Sequence, residues 1–199
     1  MGSKHPLLTA AKTLQKIVTY ITVKKLSLLI AGILPALFAI AQYKAVEGKS
    51  SVKFTIKNFG INVGGTFGGL EGDISFDPKR PADASFRVSI NANTVNTDND
   101  LRDNHLKGES YFNTAHYPRI SFESTKISIA PNNGPMILSG RLTIKNNTKE
   151  ISFPFTAEPS AEGYLFKGSF TINRRDFNVG GFSIISDNAE ITLAVFGGK

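Results

Sequence analysis

Cysteine and tryptophan are absent from this 199-residue chain, and histidine occurs only three times. Without thiols there is no disulfide framework, no zinc–thiolate site and no cysteine nucleophile. The fold must hold by packing and backbone hydrogen bonds alone. Two histidines, His105 and His116, lie beyond residue 41. That is too few to anchor a metal centre of three or four ligands, so none is expected. Also missing are a G-x-S-x-G nucleophile turn, a phosphate loop and a dinucleotide fingerprint. No catalytic residue is assigned.

Long apolar runs are scarce. One exists, from Leu26 to Ile40, broken only by Ser27, Gly32 and Pro35. Lys24-Lys25 precedes it and Ala39-Ile40-Ala41 closes it. A basic flank, a short apolar stretch and a small-x-small site are the parts of a secretory signal peptide. The run is shorter than the ~20 residues of a spanning helix. Residues 1–41 are therefore expected to be an export signal, with an uncleaved anchor as the alternative. Residues 42–199 are expected to form one domain. Acids are absent from residues 1–41, which carry five lysines, so the remaining 158 residues keep +2 of the formal +7. The high pI belongs to the leader, and no nucleic-acid partner is expected.

What the chain does have is alternation. Ala84, Phe86, Val88, Ile90 and Ala92 fall on one face of a strand, and Ser85, Arg87, Ser89 and Asn91 on the other. The same period of two recurs at 52–56, 120–122, 138–144, 151–155, 164–172 and 189–195. Gly60 to Gly72 is glycine-rich and reads as a bend, and Pro154 suggests an edge or bulge. Turns are expected at Asp77–Pro81, Pro131–Pro135 and Asn146-Asn147. One segment, Thr97 to Gly108, lacks the period and reads as a short helix capped by Thr97 or Asp98 and ended by Gly108. The sum is all-β: eight antiparallel strands with a short helical insertion, as in a barrel or sandwich.

A barrel can turn its apolar face inward, or outward to lipid. The absence of tryptophan, few tyrosines and short apolar stretches favour the inward case. The interior can then be a filled core or a cavity, and periodicity alone leaves both open. If it is a cavity, the expected lining is Phe54, Ile56, Phe86, Val88, Ile90, Phe122, Phe153, Phe155, Phe166 and Phe170, with Leu106 and Phe112 from the insertion. Such walls suit an elongated apolar ligand. Polar residues expected at the rim are Arg102, Asp103, His105, Arg174 and Asp176. Arg102 and Asp103 are expected to form an ionic network pinning the insertion. A calcium loop at Asp98 and Asp100 fails because Arg102 stands where a third oxygen ligand is needed.

Several blocks, taken in order, resemble the YceI-like family of bacterial polyisoprenoid-binding proteins. They are Ser51-Val52-Lys53-Phe54, Gly65-Thr66-Phe67, Leu70 to Pro78, Arg102 to Lys107, Tyr111-Phe112-Asn113 and Tyr117 to Ser124. Gly140 to Lys145, Thr148 to Ile151, Ile172 to Phe177 and Ser186-Asp187 complete the set. The resemblance implies a lipocalin-like barrel, exported to the periplasm, holding a polyisoprenoid or quinone-like lipid without a resident cofactor. It implies a carrier or buffer, not an enzyme. The alternatives are an envelope stress-protective protein with a filled core and an enzyme acting on a bound lipid. Membrane contact during lipid exchange and homodimerisation are compatible with it. The chain departs from the family at Asn58, often histidine, and at Asn146, often glycine.

Overall fold

The computed structural model describes residues 15–16, 41–130, 134–181 and 184–199. The chain divides into Met1–Ala39 and Ile40–Lys199, and the second unit is the barrel. The expected export signal lies outside the described residues except at 15–16 and Ala41, and so do residues 131–133 of the expected turn at Pro131–Pro135.

Among the described residues there are ten strand segments: β1 (Gln42–Ala45), β2 (Ser51–Asn58), β3 (Ile61–Phe67), β4 (Glu71–Ser75), β5 (Ser85–Asn91), β6 (Arg119–Ile129), β7 (Met136–Ile144), β8 (Asn147–Ser160), β9 (Gly163–Asn173) and β10 (Ile185–Gly198). All pairings between them are antiparallel. They make an eight-stranded closed barrel because four segments combine as two broken strands. β1 and β2 both lie along β10, and they pair with β4 and β3 respectively. The first break is a 3-10 turn at Glu47–Lys49. The second is Gly68-Gly69, where Gly69 has φ +63 and an added Cβ would sit 2.6 Å from the Asn91 Cβ. The glycine-rich bend is therefore this second doublet. Gly64 and Gly65 stay within β3 and pair with Thr55 and Phe54.

The segment without alternation contains the expected helix, α1 (Asp100–Lys107). Its cap is neither Thr97 nor Asp98. Asn99 Oδ1 accepts from the Arg102 N–H at 2.9 Å, because Thr97 is committed elsewhere. Gly108 ends the helix as expected, its N–H donating to the His105 carbonyl. Pro154 sits where the β8–β9 ladder stops. That ladder runs from Phe155 to Ser160, and the earlier part of β8 pairs with β7 alone. A residue lacking an N–H fits such a locally open edge.

The apolar stripes turn inward. Four inward-facing strand glycines make room for aromatic rings from neighbouring strands. A Cβ on Gly65 would meet the Phe54 ring at 2.4 Å, one on Gly140 the Phe122 ring at 2.4 Å, one on Gly168 the Phe153 ring at 3.0 Å and one on Gly197 the Phe166 ring at 3.1 Å. One end of the barrel is packed shut. Ile74 and Phe76 are fully buried there, and the Phe76 ring meets Tyr164 and Phe166 edge-on at 5.1 and 5.2 Å.

The outer face is charged. Register aligns Lys44, Asp73, Arg87, Glu123, Arg141 and Glu150 as one row of alternating sign across β1, β4, β5, β6, β7 and β8. Arg87 and Arg141 bind the two oxygens of Glu123 at 2.9 and 3.1 Å. Exposed pairs of this kind contribute little stability each, but opposite charges directly across a ladder favour one register over its slips. A face carrying this row is not a lipid-facing band.

Two predictions follow from this packing and this row. Gly140→Ala should destabilise the barrel by about 1–3 kcal/mol, since its Cβ would overlap both the Phe122 ring and the Glu123 carbonyl oxygen. Gly48→Ala, which meets nothing within 4 Å, should stay within about 0.5 kcal/mol in the same chemical denaturation. Hydrogen bonding from Arg87, its charge and then Arg141 hold the Glu123 carboxyl below its ordinary value of 4.5. Stability from a depressed carboxylate is complete above that ordinary value and is lost as pH falls through the lower folded one. The urea midpoint should therefore drop on acidification below about pH 4.5, and Glu123→Gln should flatten that drop.

Candidate functional site

The inward stripes do not meet at the barrel axis. Between them lies a cavity of about 220 Å³, its wall almost wholly apolar. All twelve residues expected to line a cavity stand on its wall: Phe54, Ile56, Phe86, Val88, Ile90, Leu106, Phe112, Phe122, Phe153, Phe155, Phe166 and Phe170. Each strand residue arrives there by alternation alone. Phe153 and Phe170 stack across β8 and β9 with ring centroids 4.5 Å apart.

Other wall residues escaped the sequence reading. Phe67 is hidden by its glycine neighbours, although Val63, Gly65 and Phe67 do keep the period of two. Tyr111 follows α1, where no periodicity points inward. Leu138, Leu142 and Ile144 were legible as a stripe yet were left out of the expected lining.

The end opposite the aromatic plug is covered by α1 and the segment after it. Leu106, Tyr111 and Phe112 face the cavity, and the Phe112 ring meets Phe67 edge-on at 5.3 Å. Four hydrogen bonds link this cover, the segment after β9 and the β7–β8 hairpin. Lys145 Nζ donates to the carbonyls of Glu109 and Asn178 at 3.2 and 3.0 Å. The Gly180 N–H donates to the Ser110 carbonyl at 2.7 Å. Asn147 Nδ2 donates to the Phe177 carbonyl at 3.1 Å.

The polar residues expected at the rim are used differently from the expectation. Arg102 and Asp103 are not joined to each other. Both engage Thr97: its N–H and hydroxyl donate to Asp103 Oδ1 at 2.9 and 2.5 Å, and Arg102 donates to its hydroxyl and carbonyl oxygens at 2.7 and 2.6 Å. The two side chains pin the insertion through a threonine because neighbouring helix positions point to different sides. Arg174 stands on the cavity wall at the covered end. It is buried, with 5% exposure, and its guanidinium binds the carbonyls of Val179, Gly180, Gly181, Ile185 and Ser186 together with Asp187 Oδ1. Arg175 shares Asp187, which makes Asp187, not Asp176, the acid of this cluster. Asp176 is exposed. His105 is exposed and rests on the Tyr111 ring at 4.8 Å. Among the described residues, no three His, Cys, Asp or Glu side chains converge as a metal site would need.

Residues 43–196 match the YceI-like domain. The chain belongs to the YceI-like family. A UPF0312 protein of Yersinia pestis is 32% identical over 167 residues, covering 79% of this chain and 86% of its own length. Among solved structures, Burkholderia cenocepacia BcnA matches with a TM-score of 0.71 at 24% identity, over 76% of this chain and 98% of its own. A polyisoprenoid binding domain from Saccharophagus degradans matches with a TM-score of 0.64 at 17% identity, over 80% and 99%. At these identities both structures establish the barrel fold. Among the described residues no helix is long and apolar enough to cross a membrane.

The arrangement of Arg174 generates a prediction. Arg174→Met should leave the carbonyls of the 179–186 loop without donors and cost about 2–4 kcal/mol. Arg174→Lys should recover little, since an ammonium cannot span that many acceptors. Thermal unfolding of both variants, with amide exchange across the loop, checks it.

Proposed function

We propose that this barrel binds the apolar tail of a long isoprenoid or acyl lipid in its cavity, without catalysis, as an exported carrier or buffer. The observation that carries this reading is the apolar wall running from the aromatic plug to the cover made by α1 and the segment after it. Family membership and the polyisoprenoid binding domain among its structural neighbours support the same ligand class. Each buried methylene contributes about 0.8 kcal/mol, so ten would supply roughly 8 kcal/mol before the cost of ordering. The space of about 220 Å³ lies below the ~300–1,000 Å³ common for ligand pockets. It suits one slender chain better than a fused-ring lipid, and a longer tail needs the half-buried rings of Phe54, Phe122 and Phe170 to turn aside.

Catalysis finds little support in the polar residues. Arg102, Asp103 and Arg174 are committed to structural hydrogen bonds, and His105 is exposed and rests on the Tyr111 ring. Lipid exchange at a membrane surface fits the covered end. Four of the five exposed large apolar residues among the described residues, Phe59, Ile61, Leu101 and Ile184, lie at that end; the fifth, Ile129, ends β6 at the other.

Organic extraction of protein purified from a bacterial host, followed by mass spectrometry, tests the reading. A co-purified isoprenoid or acyl lipid, or uptake of an added one, is the expected result. Phe122→Asp should abolish that uptake and lower stability by about 3–5 kcal/mol, as an unpaired charge on an apolar wall does. No lipid in repeated extracts and no uptake of any chain would leave a filled structural barrel instead.

A further inference from the structure

An apolar chain reaches this cavity through one of the two ends of the barrel. At the plugged end Ile74 and Phe76 are 0% and 1% exposed, and the rings of Tyr164 and Phe166 pack on Phe76. The cover over the other end is less deeply buried: Leu106, Tyr111 and Phe112 are each half-buried. Its root is the last step of the β5–β6 ladder, Asn91 with Arg119, followed by the Ala92 N–H donating to the Pro118 carbonyl at 2.8 Å. Close to that root Thr66 and Asn96 exchange both main-chain hydrogen bonds, at 2.8 and 3.0 Å, which ties the start of the insertion to β3. The middle of the cover is joined to other elements by the Gly180 N–H at the Ser110 carbonyl and by Lys145 Nζ at the Glu109 carbonyl.

Lys145 stands at an unusual place for a lysine. Ile144 pairs with Asn147, so Lys145 and Asn146 make a two-residue loop between β7 and β8. Lys145 has φ +57 there. Such loop positions favour Gly, Asn or Asp, and long side chains are uncommon at positive φ. The turn gains nothing from a lysine, whereas the ammonium is put to use. It donates to two carbonyls on separate segments, Glu109 of the cover at 3.2 Å and Asn178 of the β9–β10 connection at 3.0 Å. One cation thus straps the cover to the hairpin and to the connection beside it. Lys145 is absent from the cavity wall, so it acts on the cover without touching what the cavity holds. Bonds of this kind near water exchange for bonds to water at modest net cost, which leaves them able to release.

We propose that Lys145 is the latch of this cover: its ammonium holds the segment after α1 over the cavity, and release of its bonds sets the rate at which a ligand enters and leaves. This rests on the lipid-binding reading above. A latch that does not touch the ligand stabilises the closed cover with and without cargo. Its loss therefore speeds entry and exit alike and leaves their ratio, the affinity, unchanged.

The test follows an uncharged fluorescent acyl ester by stopped flow, in the full chain and in Lys145→Asn, which keeps a residue suited to positive φ and removes the ammonium. Association and dissociation rates should both rise roughly 3- to 30-fold, with the dissociation constant unchanged within about twofold. The ligand-free variant should melt no lower than the parent protein, because asparagine suits the turn better than lysine does. Lys145→Gly should behave alike and stands in if the asparagine variant does not fold. Lys57→Asn, which removes an exposed lysine at the end of β2 on the same side of the barrel, should leave both rates as they were. Unchanged rates in the Lys145 variants, with or without a lower melting temperature, would make the bond purely structural and overturn the proposal while leaving the cavity a lipid site. A changed affinity with only one rate moved would put Lys145 in contact with the ligand and overturn it, as would equal acceleration by Lys57→Asn. Failure of the parent protein to take up the ester or any other acyl or isoprenoid chain would remove the lipid-binding reading and this one together.

Discussion

Aromatic rings laid over strand glycines set the interior of this barrel. Eight strands enclose a space just wide enough for side chains to fill it or to hold one small ligand. Phe54, Phe122, Phe153 and Phe166 occupy that space only because Gly65, Gly140, Gly168 and Gly197 leave the facing wall flat. The result is an interior lined by rings yet not closed by them. Without the glycines the rings would be driven toward the axis, and the channel would become an ordinary core.

The same barrel is asymmetric along its axis. At one end Tyr43, Phe76, Tyr164 and Phe166 pack as edge-on aromatics and leave no passage. At the other, α1 and the segment after it lie across the opening, held by hydrogen bonds and by Leu106, Tyr111 and Phe112 turned to the cavity. Hydrogen bonds near water exchange for hydrogen bonds to water at small net cost, whereas buried aromatic packing does not. The exposed Phe59, Ile61, Leu101 and Ile184 lie at the covered end, whereas the exposed Ile129 ends β6 at the other.

Charge is largely confined to architecture. The alternating row on the outer wall favours the ladder register, Arg174 staples the loop before β10, and Arg102 and Asp103 fasten the insertion through Thr97. The cavity wall is left almost wholly apolar.

Much of this was legible in the chain before its structure. Period-two alternation identified the strands, their inward faces and ten of the twelve expected wall residues, because a strand side chain has only two directions available; Leu106 and Phe112 come from the insertion. The ordered blocks identified the family, and composition set aside disulfides and thiol chemistry. What alternation could not supply was anything decided by a neighbour distant in sequence. It did not show that Arg102 and Asp103 share Thr97, that Arg174 lies beneath the rim with Asp187 as its acid, or that β1 with β2 and β3 with β4 make two broken strands. Nor did it decide whether the inward faces meet or stand apart. That depends on which glycine faces which phenylalanine across the ladder, and register is settled only when the barrel closes.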